Sequence, residues 1–318
     1  MAEYDVIIIG SGPAGLTAAI YAGRALVKTL VIGGRTSGGQ LMLTGDVENF
    51  PGFANAVPGP VLMMEMRKQA ERFGAEIVDD DTELVDFSHT PFRVKIGNQT
   101  HTGKTVIIAT GSSAKWLGLS AESHLRGKGV SSCATCDGYF FRGKRVVVVG
   151  GGDTAIEEAL FLTKYASEVI LVHRRGELRA SKILQRRALG NNKIRFVWNS
   201  VIEEVLGEKS VEGVMIKEVR TGQLSIIPCD GLFVAIGHQP NTKLFEGQIE
   251  LDEKGYVLAR GTKTSVSGVF VAGDVHDYRY RQAITAAGEG CKAAMDALAY
   301  LEEQKEVTVS AQENYGIS

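Results

Sequence analysis

The stretch Val6-Ile7-Ile8-Ile9-Gly10-Ser11-Gly12-Pro13-Ala14-Gly15 decides the fold predicted for this chain. Residues 6–9 form an apolar run typical of a strand buried on both faces, and a helical pattern follows Gly15. Gly-x-Gly-x-x-Gly between a strand and a helix is a dinucleotide-binding motif. Gly10 permits the tight turn, Gly12 lets a pyrophosphate approach the backbone, and the helix start offers free amides to its phosphates.

The next predicted strand, Thr29 to Ile32, lacks the acid that such a unit is expected to carry near its end for a ribose hydroxyl. Gly33-Gly34-Arg35 stands there instead. This glycine pair, together with Gly38-Gly39-Gln40, suggests that backbone amides take over the binding.

A second glycine motif, Gly150-Gly151-Gly152-Asp153-Thr154-Ala155, follows the predicted strand Arg145 to Val149. The strand after its helix ends in His173-Arg174-Arg175, with Arg179 beyond. Arginines at this place favour the ribose 2′-phosphate of NADP, because guanidinium pairs phosphate bidentately and stays charged. The alternative is a solvated basic edge.

Buried strands that end in small residues recur along the chain. Ala109-Thr110-Gly111 closes one strand, and Ile236-Gly237 closes another in the same way. This repeated pattern predicts two related α/β units, each opened by a glycine turn, although a plain strand-to-loop exit would look alike.

A last strand ends at Gly273-Asp274, where the carboxylate could bind a flavin ribityl hydroxyl or cap a helix. Arg281-Gln282-Ala283 then begins a helix.

The candidate chemistry lies in Cys133-Ala134-Thr135-Cys136-Asp137. Two thiols at this spacing can close a small disulphide ring, a neighbouring helix start can lower the pKa of one thiol, and the acid can relay a proton. A zinc site would need further ligands, whereas Cys229 and Cys291 are isolated, so we expect redox chemistry and no metal. An inert pair is the remaining alternative.

The totals restrict the class of protein. A chain of 318 residues with 44% apolar residues predicts two domains, and a formal charge of −2 argues against a general nucleic-acid binder. We expect no membrane span, because no sufficiently long apolar run occurs. The acid near the N-terminus and the sparse cysteines favour a cytoplasmic location.

With these motifs in place, the chain resembles the small flavoprotein thioredoxin reductases of bacteria over nearly its whole length. The Cys-Ala-Thr-Cys-Asp string is the specific part of that resemblance. It implies a discontinuous FAD domain, residues 1–113 and 243–318, with an NADPH domain, residues 114–242, inserted as a second Rossmann-like three-layer unit. It also implies thioredoxin as the partner and a homodimer.

The resemblance assigns the binding residues by position. The FAD contacts it implies are Gly10, Gly12, Pro13, Ala14, Gly15, Gly33, Gly34, Gly39, Gln40, Leu41, Asn49, Ala109, Thr110, Gly111, Gly273, Asp274, Arg281, Gln282 and Ala283. The NADPH contacts it implies are Gly152, Asp153, Thr154, Ala155, His173, Arg174, Arg175, Arg179, Ile236 and Gly237.

The implied mechanism is a relay from NADPH through FAD to the Cys133–Cys136 disulphide and onward to thioredoxin. Cys136 would lie nearest the flavin, Cys133 would attack the partner, and Asp137 would be the general acid. The thiols and the NADPH motif share one domain, yet both must meet the same flavin. In this family the inserted domain rotates between two states, and we expect hinges at 112–117 and 237–242.

Two further points stay open. The aromatics of Phe140-Phe141-Arg142 are candidates for docking thioredoxin or for ordinary core packing. The rival functions are a flavoprotein serving a peroxiredoxin or glutaredoxin-like partner, a ferredoxin or flavodoxin reductase, and a redox-sensing binding protein.

Overall fold

The computed structural model of the chain describes residues 2–315, with side chains described as far as Glu306. Its strands, in chain order, are β1 Glu3–Ile9, β2 Thr29–Ile32, β3 Asp46–Val47, β4 Val57–Pro58, β5 Glu76–Val78, β6 Thr82–Asp86, β7 Phe92–Ile96, β8 Gln99–Ile108, β9 Ser112–Ala114, β10 Val130–Ser131, β11 Arg145–Val149, β12 Glu168–Val172, β13 Ile194–Val197, β14 Ser200–Leu206, β15 Gly213–Glu218, β16 Leu224–Pro228, β17 Gly231–Val234, β18 His238–Pro240 and β19 Val269–Val271. Its α-helices are α1 Pro13–Arg24, α2 Gly59–Arg72, α3 Ser120–His124, α4 Ala134–Asp137, α5 Asp153–Leu162, α6 Lys182–Leu189 and α7 Ala283–Tyr315.

The chain divides into two compact units. Unit 1 comprises residues 1–46, 50–113 and 239–318, and unit 2 comprises residues 47–49 and 114–238. The second unit is therefore inserted into the first. Unit 1 is built around a mixed sheet, in which β6, β7 and β8 pair antiparallel, and unit 2 around a parallel sheet.

Unit 1 contains a seven-stranded sheet in the order β5-β2-β1-β8-β7-β6, with β19 also paired to β8. β1 pairs in parallel with both β2 and β8, and its residues 6–9 are buried. Successive side chains of a strand point to opposite faces, so Ile7 and Ile9 join one core while Ile8 lies close to Gly15 at the start of α1. The continuous apolar run of β1 reflects this burial on both faces, as predicted.

Unit 2 has three layers. Its five-stranded parallel sheet has the order β10-β17-β11-β12-β13, and a separate antiparallel sheet has the order β14-β15-β16. Val146 and Val148 of β11 pack in the core that contains α5, whereas Val147 and Val149 pack in the core that contains Val214 of the antiparallel sheet. The predicted fold class, two Rossmann-like α/β units with one inserted in the other, is confirmed.

The chain enters and leaves the long segment of unit 2, residues 114–238, through two short strands, β9 and β18, which pair with each other. Leu117 and Gly118 follow shortly after β9. Their backbone N–H groups donate hydrogen bonds of 2.8 Å and 2.9 Å to the carboxylate of Glu122, a fully buried residue. Two charge-assisted hydrogen bonds to a buried carboxylate hold a backbone firmly, so Leu117 and Gly118 belong to the fixed part of unit 2.

Candidate active site

The thiol pair lies at the beginning of the short helix α4. Cys133 is the residue before its first turn, and Cys133 and Cys136 form a disulphide with 5.3 Å between their Cα atoms. The bond uses both sulfurs, which favours the redox interpretation of the motif over the zinc alternative. No group of three or more His, Cys, Asp or Glu side chains among residues 2–306 is arranged to hold a metal ion.

The backbone around the pair distinguishes the two sulfurs. The N–H of Cys136 donates to Sγ of Cys133 at 3.2 Å, and the Thr135 hydroxyl lies 3.3 Å from the same sulfur. The Ser131 hydroxyl accepts the N–H of Cys133 at 3.0 Å and so fixes the approach to the helix. Donors aimed at Cys133 would stabilise its thiolate once the disulphide is opened.

Asp137, the predicted general acid, directly follows the second cysteine. Burial raises the pKa of this carboxyl, and a hydrogen bond from Ser131 opposes part of that increase. A buried carboxyl holds its proton to a higher pH than an exposed one, which suits a proton donor to a departing thiolate.

The aromatic residues after the pair have different environments. Phe141 is buried and makes an edge contact with Phe233, their ring centroids 5.1 Å apart, so core packing is the correct interpretation of this residue. Phe140 is 40% exposed, and Tyr139 is 56% exposed. Any docking role for aromatics at this place therefore falls to Tyr139 and Phe140.

The second glycine motif joins β11 to α5. Gly150 has φ +153°, and a Cβ there would lie 2.4 Å from the carbonyl oxygen of Ala235, which follows β17. Only glycine fits this turn without displacing the neighbouring strand. Gly152 precedes the first turn of α5, and a Cβ at Gly152 would meet no atom within 4 Å, so the helix start is open to a ligand.

The predicted NADP residues gather at the same edge of the sheet of unit 2. The N–H of Arg179 donates to the carbonyl of Gly151 at 2.8 Å, which brings that arginine to the glycine motif, and Arg174 and Arg175 are exposed just after β12. Ile236 and Gly237 follow β17, the strand beside β11. Asp153 accepts the N–H of Ser181 at 2.7 Å and thereby holds the loop that carries Arg179.

His173 lies beneath this motif and is buried, unlike the arginines that follow it. A Cβ on Gly151 would come within 2.2 Å of the imidazole, so the ring packs directly against the glycine backbone. Nε2 of His173 is buried without a hydrogen-bond partner among the described residues. Desolvation lowers the pKa of His173, and the charges of Arg179 and Arg175 lower it further. The neutral ring supports the turn from below.

The first glycine motif of unit 1 has the same construction. Gly10 has φ +118°, and a Cβ there would lie 2.2 Å from the carbonyl oxygen of Ala109 and 3.0 Å from the nitrogen of Thr110. Gly12 precedes the first turn of α1, Pro13 begins it, and the space beside Gly12 is open. Gly39, at the start of the 3₁₀ turn Gly39–Leu43 that contains Gln40 and Leu41, would place a Cβ 3.4 Å from Cα of Gly12. Asn49, also predicted to contact FAD, is exposed between β3 and β4 and groups with unit 2.

The end of β19 brings further predicted residues to that edge. β19 pairs in parallel with β8, and a Cβ on Gly273 would lie 3.0 Å from Cβ of Ala14. Burial raises the pKa of the neighbouring Asp274 to about 7. The helix predicted after Arg281 begins at Ala283, and Arg281 itself has φ +49°, a conformation uncommon outside glycine.

Several residues with evident roles here carried no motif. Glu289 of α7 accepts the N–H of Gly273 at 2.6 Å, and its Oε2 lies 3.0 Å from Nε2 of His276. Asp79, after β5, lies close to Gly33. Both contacts join positions far apart in sequence, and an acid on a helix or after a strand is too common to single out without the fold.

Comparisons with known proteins agree with this geometry. The family profile of the pyridine nucleotide-disulphide oxidoreductases matches residues 4–290. A thioredoxin reductase of Rickettsia conorii is 53% identical over 302 residues, covering 93% of this chain and 97% of that protein. A thioredoxin reductase of Streptomyces coelicolor is 54% identical over 301 residues, covering 93% of this chain and 94% of the other.

Solved structures give the same result. A thioredoxin reductase from Giardia duodenalis superposes with a TM-score of 0.91 at 44% identity, covering 95% of this chain and 100% of that one. A thioredoxin reductase from Streptococcus pyogenes has a TM-score of 0.91 at 41% identity, covering 95% and 99%. In the part of the chain that is described, no helix has the length and apolar character needed to cross a bilayer. The chain therefore belongs to the pyridine nucleotide-disulphide oxidoreductase family and, within it, to the thioredoxin reductases of the small bacterial type.

Proposed function

We propose that this chain is a thioredoxin-disulphide reductase that binds FAD in unit 1 and NADPH in unit 2. The Cys133–Cys136 disulphide carries the proposal, because it lies at the start of α4 with backbone and hydroxyl donors directed at Cys133. The same unit holds a glycine turn with exposed arginines, and the other unit holds a second such turn. Membership of a pyridine nucleotide-disulphide oxidoreductase family implies a flavin and a pyridine nucleotide; FAD and NADPH are our specific assignments.

The residues of unit 1 fit a flavin dinucleotide. The open space beside Gly12, at the start of a twelve-residue helix, suits a pyrophosphate, whose charge the free amides and helix dipole favour. Asp274 is a half-buried carboxyl whose pKa is raised by desolvation, and it could form a hydrogen bond with a ligand hydroxyl. Gly10–Gly15, Ala109–Gly111 and Gly273–Asp274 would line the site, with Gln282 and Ala283 at the start of α7.

The residues of unit 2 fit NADPH. Gly152 leaves the start of α5 open, and Arg174, Arg175 and Arg179 provide exposed guanidinium groups close to the glycine turn. A 2′-phosphate is the group that distinguishes NADPH from NADH, and arginine is its natural partner. His173 would support Gly151 rather than contact the ligand.

The residues of the chain define the thiol chemistry. A flavin held in unit 1 would supply the two-electron chemistry that links NADPH to the Cys133–Cys136 disulphide. Cys133, as a thiolate stabilised by the Cys136 N–H, would attack a disulphide of thioredoxin and form a mixed disulphide, releasing one thioredoxin thiolate that Asp137 protonates. Cys136 would then lose its proton and attack Sγ of Cys133, which restores the intramolecular disulphide and expels the second thioredoxin sulfur as a thiolate; that thiolate takes up the proton released by Cys136.

Movement of the inserted unit is part of the proposal, since the thiols and the NADPH motif lie in unit 2 and the flavin motif lies in unit 1. We place the hinges within 112–116 and 237–242. Glu122 fixes Leu117 and shortens the first of these segments by one residue relative to the sequence expectation. Crosslinking the units should stop turnover and leave one of the half-reactions intact. We further propose a homodimer located in the cytoplasm.

The decisive experiment is an anaerobic spectral titration. The purified protein should show a visible flavin band that NADPH bleaches and that oxidised thioredoxin then restores. Cys133→Ser and Cys136→Ser should still be bleached by NADPH, whereas thioredoxin should no longer restore their colour. Restored colour in both variants would exclude the thiol relay, and absence of turnover in the unsubstituted protein would favour a redox sensor. Turnover only with another protein disulphide would reassign the partner.

A further inference from the structure

The carboxyl ends of β2 and β5 are neighbours in the sheet of unit 1. The two strands are parallel, with Ile32 paired to Val78, and the N–H of Gly33 donates to the carbonyl of Val78 at 2.8 Å. Gly33 and Asp79 are the next residues along the two strands. The register therefore places Asp79 beside the position from which a Rossmann unit normally projects its ribose-binding acid.

The space around Gly33 contains oxygen atoms from three directions. A Cβ at Gly33 would lie 2.8 Å from the Ser37 hydroxyl, 3.1 Å from Oδ1 of Asp79 and 3.2 Å from the Ser11 hydroxyl. At these separations, a side chain at residue 33 could be accommodated only if the neighbouring oxygen atoms moved. A carboxylate from β5 thus lies beside the place that an acid on β2 would take, and a side chain at residue 33 would have to displace the Ser37 hydroxyl and push against Oδ1 of Asp79.

A network of hydrogen bonds holds this carboxylate in position. Nη1 of Arg67 donates to Oδ1 of Asp79 at 2.7 Å, and Nε of the same guanidinium donates to Glu71 at 2.9 Å. The Ser11 hydroxyl donates to the carbonyl of Gly33 at 3.0 Å and accepts the N–H of Gly38 at 2.8 Å, which ties the glycine-rich loop to the first glycine motif.

Asp79 is held as an ionised and accessible acceptor. Its hydrogen bond from Arg67 lowers the pKa of the carboxyl despite partial desolvation, and Ser37 contributes in the same direction. The side chain is 47% exposed, so a ligand can reach it. A surface ion pair alone would need neither the glycine beside it nor the converging serine hydroxyls.

We propose that Asp79 binds the 2′-hydroxyl of the adenosine ribose of FAD, in place of the acid that β2 lacks. This inference rests on the proposed function, because it takes FAD as the ligand of unit 1. The ribose-binding carboxylate would then lie near its usual position in a Rossmann unit but would belong to the adjacent strand. Gly33 and Gly34 have no side chains that would block a ligand from reaching it. Asp79 is thereby assigned as a specificity-determining residue for the adenosine half of the cofactor.

The test compares FAD with an FAD analogue that contains 2′-deoxyadenosine, using apoprotein stripped of flavin and the quenching of flavin fluorescence on binding. The unsubstituted apoprotein should bind FAD at least tenfold more tightly than the analogue, the size expected for a hydrogen bond to a carboxylate. Asp79→Asn should bind the two ligands within about twofold of each other, because the charged acceptor is lost. Glu71→Gln is the matched control, since Glu71 shares the Arg67 ion pair but lies on α2, and it should keep the full preference.

The outcomes distinguish failure of the proposed function from failure of the role assigned to Asp79. If the unsubstituted apoprotein binds no FAD, the proposed function fails. If it binds FAD but does not distinguish the analogue, or if Asp79→Asn retains the tenfold preference, the role of Asp79 is wrong while the proposed function stands. If Glu71→Gln loses the preference as fully as Asp79→Asn, the Arg67 ion pair rather than a ribose contact is responsible. Asp79→Glu, which keeps the charge, should recover part of the preference and guards against a loss caused by misfolding.

Discussion

The Glu289 carboxylate on α7 accepts a 2.6 Å hydrogen bond from the backbone N–H of Gly273, two residues after the end of β19. Oε2 of Glu289 also lies 3.0 Å from Nε2 of His276, two residues beyond Asp274. One carboxylate therefore holds both sides of the turn that presents Asp274. The long helix and the turn are fixed to each other before any cofactor binds.

Replacing Glu289 should destabilise unit 1. Glu289→Gln keeps the shape but removes the charge that both donors use, and we expect the apoprotein to lose about 1–2 kcal/mol of unfolding free energy. Denaturant unfolding at neutral pH measures the change, with Glu302→Gln, an exposed substitution on the same helix, as the control. An unchanged free energy for Glu289→Gln would show that the turn does not depend on this carboxylate.

The same carboxylate predicts a dependence on acid. Burial alone would raise the pKa of Glu289, but the hydrogen bond and charge of His276, with the Gly273 amide, lower it below its ordinary value of 4.5. A carboxyl with a lowered pKa in the folded protein contributes stability above its unfolded pKa and loses it as pH falls through the folded pKa. The stability difference between the unsubstituted protein and Glu289→Gln should therefore shrink as the pH falls below about 4.5, and a constant difference would contradict this linkage.

Asp274 predicts the opposite trend. Burial raises its pKa from 3.8 to about 7. Between these two pH values the folded apoprotein keeps a proton that the unfolded chain has already released. The unfolded state then binds fewer protons, and stability decreases as pH rises through the window. Asp274→Asn, which has no such proton, should become the more stable apoprotein by more than about 1 kcal/mol near pH 8 and lose this advantage near pH 4. Unfolding curves at both pH values test this, and Glu253→Gln, an exposed acid elsewhere in unit 1, should follow the unsubstituted protein.

If Asp137 is the proton donor, the rate of thioredoxin reduction should fall at alkaline pH as this carboxyl loses its proton. Burial raises its pKa, so the carboxyl retains its proton above the ordinary range of aspartic acid and delivers it to the departing thiolate. Asp137→Asn cannot donate a proton in this way, and we expect kcat for thioredoxin to fall by about 100-fold, with loss of this alkaline decrease in the pH profile. Bleaching of the flavin by NADPH should proceed at the usual rate, and equal losses in both half-reactions would show a structural defect instead.

The arginines after β12 predict the choice of nicotinamide cofactor. Arg175→Ala should raise KM for NADPH by at least tenfold and leave KM for NADH nearly unchanged, because only NADPH carries the 2′-phosphate. Steady-state kinetics with both cofactors provide the measurement. Arg187→Ala, an exposed arginine of α6, serves as the control. Parallel increases for both cofactors would place Arg175 away from the phosphate.

The exposed aromatics predict where thioredoxin docks. Phe140→Ala should raise KM for thioredoxin and leave reduction of a small disulphide dye unaffected, since the ring is 40% exposed and outside the core. Phe141→Ala should instead cost about 3–5 kcal/mol of stability, because it empties a buried site against Phe233. A Phe140→Ala variant with equal losses on protein and dye would exclude the docking role.

Local sequence patterns determined much of this protein. The apolar runs of β1 and β11 with their glycine turns predicted the two α/β units, because strand burial and a tight turn depend on residues next to one another in the chain. The thiol motif indicated redox chemistry for the same reason, since its ring closes over three peptide units.

Only the tertiary structure decided which distant residues complete those motifs. The β2–β5 register sets Asp79 beside Gly33, packing of α7 sets Glu289 on Gly273, and burial assigns Phe141 to the core while leaving Phe140 exposed. Each of these depends on how strands pair and helices pack across long separations in sequence. The physical reason is that a hydrogen bond between side chain and backbone is specified by distance and burial in space, and those exist only after the sheets have formed.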